Sequence, residues 1–169
     1  MAFEFAYSLD GNAALPIKDF AVDTLAGYKT AAGTNDAKKG DLVFLNAGLV
    51  RRNVVTTGAA LGVLEGLEFT GLIAQGQPYA ATNASFISKV TDLAANPNGV
   101  AKVRLDKAAV YRVAVNTGQT ATNANVGVSY AIAIDAAGNQ TVDITTTTTP
   151  AVKVIERSAD GKKVFVTLV

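Results

Sequence analysis

Residues 38–52 read KKGDLVFLNAGLVRR, in which Leu42, Val43, Phe44 and Leu45 form an apolar run on both faces, bounded by Gly40 and by Asn46-Ala47-Gly48. Such a run predicts a buried strand entering a short turn, with Gly48 taking a positive φ in a bulged hairpin. Residues 49–56, rich in Val, supply the returning strand. Arg51 and Arg52 fall mid-strand on opposite faces, so one of them is expected along an interface or a barrel rim.

The same grammar runs to the C-terminus. ALGVLEG, GVAKVRL, AVYRVAV, VGVSYAIAI, QTVDITT, AVKVIERS and KKVFVTLV are short β-rich segments separated by Gly, Asn, Asp or Pro. Between 126 and 134, Val126, Val128, Tyr130, Ile132 and Ile134 share one side of a strand, residues 135–139 form the turn, and Val142 and Ile144 start the return. VIERSADGKKVFV predicts a further hairpin with a two-residue turn at Asp160-Gly161. Strands at this density predict an all-β fold, a small barrel or sandwich.

Two stretches break the rhythm. Residues 1–20 alternate aromatics (Phe3, Phe5, Tyr7) and then run into LDGNAALP without helical period, which predicts an extended N-terminal arm. Exposing that aromatic strip to water costs about 1.5 to 3 kcal/mol per large side chain. It must therefore either fold back as a strand of its own domain or lie on a neighbouring subunit or another protein. Residues 83–96 place Phe86, Ile87, Val90, Leu93 and Ala94 at spacings of three and four behind Asn83, compatible with one short helix. The run 145–150, TTTTTP, reads as a strand edge or a linker, with Pro150 ending any pairing.

Composition narrows the chemistry. At 169 residues the chain is one domain, or one domain with an appendage, long enough to bury roughly 70% of its unfolded surface. Fifteen Lys and Arg against 14 Asp and Glu give a net charge of +1, with no field to attract nucleic acid or an anionic membrane. His, Cys and Trp are absent, which removes the commonest general base, the thiolate nucleophile and the usual zinc or iron ligands. No apolar run approaches the ~20 residues of a membrane span, and the opening segment has no basic start before an apolar core, so a cytoplasmically made, soluble protein is expected.

Each candidate site has a structural explanation that outweighs a chemical one. Glu65 and Glu68 flank Gly66, where a bulge would suit the chain, and form the best acid–base pair; a place beside a hairpin, facing solvent or a subunit, explains them better. Asp135, Asn139 and Asp143 supply calcium-type oxygens without the spacing of a calcium loop, and Asx hydrogen bonds in a turn account for the first two. Gly58, Gly62, Gly66 and Gly71 match no nucleotide-binding motif and read as turns and bulges. Arg51, Arg52, Arg104, Lys107 and Arg112 are interleaved with Asp41, Glu65, Asp92 and Asp106, which predicts a mixed-charge surface. The tyrosines Tyr28, Tyr79, Tyr111 and Tyr130 read as packed rings with wet hydroxyls.

The order of these features resembles the head decoration, or capsid cement, proteins of tailed bacteriophages. The resemblance covers about half the chain: an extended arm, then KKGDLVFLNAGLVRRNVVTTGAALGVLEGLEF at 38–69, AVYRVAV at 109–115 and VGVSYAIAID at 126–135. It implies a small β-barrel, or β-tulip, over 21–169, with residues 70–108 either an inserted lobe or a continuation of the barrel. It further implies a homotrimer on the outer capsid surface of the virion, at three-fold or quasi-three-fold axes, with the arm, residues 1–20, tying neighbouring major capsid protein subunits together. The residues expected to meet the capsid or a neighbouring subunit are Phe3, Phe5, Tyr7 and Leu9 of the arm, with Arg51 and Arg52. Such a protein is no enzyme and uses no cofactor, metal, nucleic acid, membrane or small-molecule substrate; it is made in the host bacterial cytoplasm. The competing readings are a head-fibre base or tail-associated β domain, and a carbohydrate-binding β module stacking sugars on Tyr28, Tyr79 or Tyr111.

Overall fold

The alternating Val, Ile and Tyr positions become strands wherever a turn residue separates them. The computed structural model describes residues 3–9, 17–21, 38–52, 60–69 and 99–169. Among these lie β1 (Glu4–Ser8), β2 (Ile17–Ala21), β3 (Leu42–Asn46), β4 (Leu49–Arg52), β5 (Gly62–Phe69) and β6 (Gly99–Arg104). They continue with β7 (Ala109–Ala114), a 3₁₀ turn (Asn123–Asn125), β8 (Ser129–Ile134), β9 (Gln140–Asp143), β10 (Val152–Arg157) and β11 (Lys163–Leu168). The fold is all-β: a six-stranded sheet ordered β1-β7-β11-β10-β8-β9 and a five-stranded sheet ordered β2-β6-β5-β3-β4. Every ladder is antiparallel, and one isolated parallel bridge joins Val115, just past β7, to Val142 of β9.

The two sheets share one core. Leu42 and Val63 of the smaller sheet, with Ala60, pack in the same cluster as Tyr111 and Val113 of β7, Ile132 of β8, and Val152, Val154, Val164 and Val166 of β10 and β11. Phe3 joins them from the N-terminal segment, buried beside Tyr111. Residues 3–9 thus take the first of the two courses open to the aromatic segment: β1 pairs with β7, Glu4 opposite Arg112 and Phe5 opposite Tyr111, with a register shift before Tyr7. Further along the same stretch, β2 pairs with β6 in the other sheet.

Several local expectations change for physical reasons. The β3–β4 turn has two residues, not a bulge, since Asn46 faces Leu49 across Ala47 and Gly48. Both turn residues have positive φ, 50° and 82°, the geometry that matches the right-handed twist of the flanking strands. Strand β8 starts at Ser129, because residues 122–128 coil into consecutive turns (Val126 N to Asn123 O, Val128 N to Asn125 O), leaving Val126 exposed. The β10–β11 loop is longer than Asp160-Gly161 suggests, with Ser158 N bonded to Lys163 O. Gly161 there has φ 66°, and a Cβ on it would sit 2.4 Å from Ala121 O, so the loop closes onto the 121 segment. Residues 146–150 make no strand, which settles the threonine run as a connection between β9 and β10.

Of the stretch 70–108, residues 99–104 are β6 and continue the smaller sheet beside β5, with the expected bulge between Leu64 and Gly66. The helix expected over 83–96 lies outside the described residues, as do Tyr28, Tyr79, Gly58, Gly71 and Asp92.

Ala47 is the costly residue of the β3–β4 turn, since a Cβ in the left-handed region is disfavoured by about 1–2 kcal/mol relative to glycine. Replacing Ala47 by Asn, which tolerates that region and forms the preferred Asn-Gly pair, is expected to raise stability by about 0.5–1 kcal/mol in urea unfolding. Gly48→Ala is expected to lower it by about 1 kcal/mol through φ alone, because nothing lies within 4 Å of the added Cβ.

Candidate functional site

The sequence places charge at two locations where the sheets meet, and the structure uses both for cohesion. Asp41 follows the Gly40 turn into β3, and Arg52 ends β4; Val43 is the direct partner of Arg52, so Asp41, two residues earlier, shares the same face. The two side chains are 0% exposed and meet at 2.6 Å, Arg52 Nε donating to Asp41 Oδ2. Arg52 also donates through Nη2 to Gly138 O at 2.7 Å, and Lys38 N donates to Asp41 Oδ2 at 2.8 Å. Beside them the buried Gln140 amide closes a two-way contact with one residue, accepting from Leu42 N at 2.5 Å and donating to Leu42 O at 3.0 Å. Lys38 Nζ completes the set on Ala137 O and Asn139 Oδ1. The β8–β9 hairpin of one sheet is thereby latched to the β3–β4 hairpin of the other.

The second location is under β1. Glu65 of β5 lies between Arg104 Nε, 2.7 Å, and Lys39 Nζ, 3.3 Å. The Arg104 guanidinium sits 5.4 Å from the centroid of the Phe5 ring, and Phe5 and Phe3 both meet Tyr111 edge-on, at 6.3 and 6.5 Å between centroids. Tyr111 is buried, its hydroxyl makes no hydrogen bond, and burial pushes its pKa up. Its hydroxyl is therefore dry rather than wet, and its ring is not a surface platform for a sugar. Tyr130 is buried as well, its hydroxyl accepting from Asn125 Nδ2 at 2.8 Å.

Of the six residues expected at an interface, two are internal: Phe3 is in the core, and Arg52 is consumed by Asp41 and Gly138. Arg51 is half-buried on β4. Phe5, Tyr7 and Leu9 remain 44%, 40% and 58% exposed along and just beyond β1, the terminal strand of the larger sheet, but the register shift sets Tyr7 opposite Val110 and Phe5 opposite Tyr111, so the two rings leave opposite faces of the strand. On the face away from Phe5, Glu4 pairs with Arg112 Nε at 3.0 Å. The Glu65–Glu68 pair does not present two free acids, because Glu65 is held by two cations; the Glu68 side chain lies outside the described residues. Among the described residues no group of three or more Asp and Glu is placed to hold a metal ion, and Asp135 is occupied by the Ala137 and Asn139 amides and the Asn139 side chain. No described helix is long and apolar enough to cross a membrane.

Removal of one latch partner leaves a buried charge uncompensated, so Asp41→Ala and Arg52→Ala are each expected to cost about 3–5 kcal/mol in denaturant unfolding. The double variant Asp41→Leu/Arg52→Met is expected to recover most of that loss. Acid titration separates two carboxyls of opposite sign. Burial pushes the Asp143 carboxyl up, but hydrogen bonds from Thr145, Gln119 and Thr146 outweigh it and bring the pKa from 3.8 down to about 2. Asp143 therefore stabilises the fold above its unfolded pKa, and this contribution is lost as pH falls toward 2. Burial raises the Asp41 pKa despite Arg52, so its contribution runs the other way, lost as pH rises through the folded value. The stability gap between the parent and Asp143→Asn is thus expected to be about 1 kcal/mol at neutral pH, allowing for solvent screening, and to close on acidification.

Comparison with protein-family models, with curated proteins and with solved structures finds no match for this chain.

Proposed function

We propose that this protein is a structural component of a tailed-bacteriophage virion, a decoration protein that binds the outside of a mature icosahedral capsid and stabilises the shell against rupture. The observation that carries the reading is the exposure of three large apolar side chains, Phe5, Tyr7 and Leu9, along and just beyond a terminal strand of a body whose buried charges hold strands together. A cement needs rigid shape and contact area rather than a reactive group. In this reading the larger sheet acts as a small barrel, for which the approach of β9 to the end of β7 at Val115 and Val142 is the support. The protein acts as a trimer at three-fold or quasi-three-fold axes, with the major capsid protein as partner.

The physical logic is avidity. Covering the exposed parts of three such side chains contributes about 1 kcal/mol each, too little for a single copy to hold a shell. Three linked copies convert later contacts into intramolecular ones, with gains of about 10² to 10⁴. A protein that binds only the mature shell then stabilises it by mass action against any ruptured form.

Gradient sedimentation of particles from producing cells tests this directly. The expected result is co-migration with the particle band at a ratio near one copy per major shell subunit, with release as trimers on mild destabilisation. Tyr7→Ser/Leu9→Ser is expected to keep its circular dichroism and melting temperature while losing at least about tenfold in retention on particles. A handful of copies per particle would instead assign the chain to a fibre or tail, and absence from particles would overturn the virion reading.

A further inference from the structure

The side of β7 that faces away from β11 is shared by two strands placed end to end. Residues 109–112 of β7 receive β1, and beyond its end Val115 meets Val142, with Asn116 N donating to Val142 O at 2.9 Å. β1 therefore fills the interval that β9 leaves open along β7. Its seat is specific at every point: Phe3 N donates to Gly40 O, Leu9 N donates to Ala108 O, the Phe3 and Phe5 rings stand edge-on to Tyr111, and Glu4 meets Arg112. The hold is nevertheless slight for a strand. Within residues 3–9 Phe3 alone is buried, Glu4 through Tyr7 are exposed, and the register slips between Phe5 and Tyr7. No described strand lies beyond β1, so its departure breaks no other ladder.

We propose that residues 3–9 form an exchangeable strap, and that the β7 edge is a docking site for the same segment of a second copy of this chain. The occupant is fixed by the structure, since the seat is already shaped to this sequence. Exchange keeps every hydrogen bond, ring contact and ion pair of the closed form, with residues 3–9 of one copy standing in for those of the other. The balance between them is then governed by the concentration of neighbouring copies against the effective concentration of a chain's own strap, of millimolar order for a short connection. Copies held close together would be tied to one another by their straps. This inference stands apart from the virion reading, and its test uses the chain alone in solution.

The chain has no native cysteine, so disulfide formation reports the location of the strap without background. In the double variant Glu4→Cys/Arg112→Cys, oxidation at low concentration is expected to close a 4–112 disulfide within one chain. Equal amounts of the Glu4→Cys chain and the Arg112→Cys chain are then mixed and oxidised. A 4–112 linked dimer, identified by the mass of its joined peptides, is expected to rise at least tenfold between about 10 μM and about 1 mM. Adding Phe3→Ala to the Glu4→Cys chain is expected to cut that yield severalfold, whereas random collision would be indifferent to it. The proposal is overturned if the double variant closes within one chain while the mixture yields only 4–4 and 112–112 dimers at every concentration. Failure of the double variant to close at all also overturns it, because β1 would then not occupy the β7 edge.

Discussion

The latch between Asp41, Arg52 and Gln140 is the constraint on which the arrangement of the two sheets depends. Apolar contact alone is non-directional and would let one sheet slide on the other. The buried ion pair and the two-way amide contact to Leu42 are directional, and each would leave an unsatisfied buried group if displaced. A one-residue slip of β4 against β3 would turn Arg52 to the other face and strand Asp41 in the core without its cation. The polar interior therefore fixes register in the smaller sheet and its docking on the larger one together.

Much of the fold was legible because its signals are local. The hairpins at 42–52, 129–143 and 152–168 follow from alternation interrupted by Gly, Asn or Asp, and the bulge at Gly66 follows from the glycine itself. What was misread was local geometry set by contacts from elsewhere. The loop at 158–162 lengthens because Gly161 closes onto Ala121, and β8 starts late because the preceding residues coil into turns. The pairing of Asp41 with Arg52 becomes readable only after the β3–β4 register is known, since both then share a face. Gln140 reaching Leu42, 98 residues away in sequence, leaves no trace in any pattern of spacing.

The residues expected at an interface divide along the same line. Alternation groups Phe3, Phe5 and Tyr7 on one face, but the register shift between Phe5 and Tyr7 sets Tyr7 opposite Val110 and so on the other face, and alternation cannot say where along the segment cover begins. The structure draws that boundary between Phe3, which reaches the shared core and Gly40, and Phe5, which is held only by a ring edge and a guanidinium. Arg51 and Arg52 look equivalent in sequence; strand alternation sends the second inward to Asp41, where its charge serves the fold.

The consequence is a division of labour within the chain. Glu65, Arg104 and Lys39 form a second polar junction that holds the smaller sheet beneath β1, and Arg104 carries the cation that rests on Phe5. Phe5 is thus backed by a charged network anchored on the other sheet. The buried pair that fixes the two sheets and the exposed terminal strand that rests on Arg104 and Tyr111 are in this way parts of one arrangement.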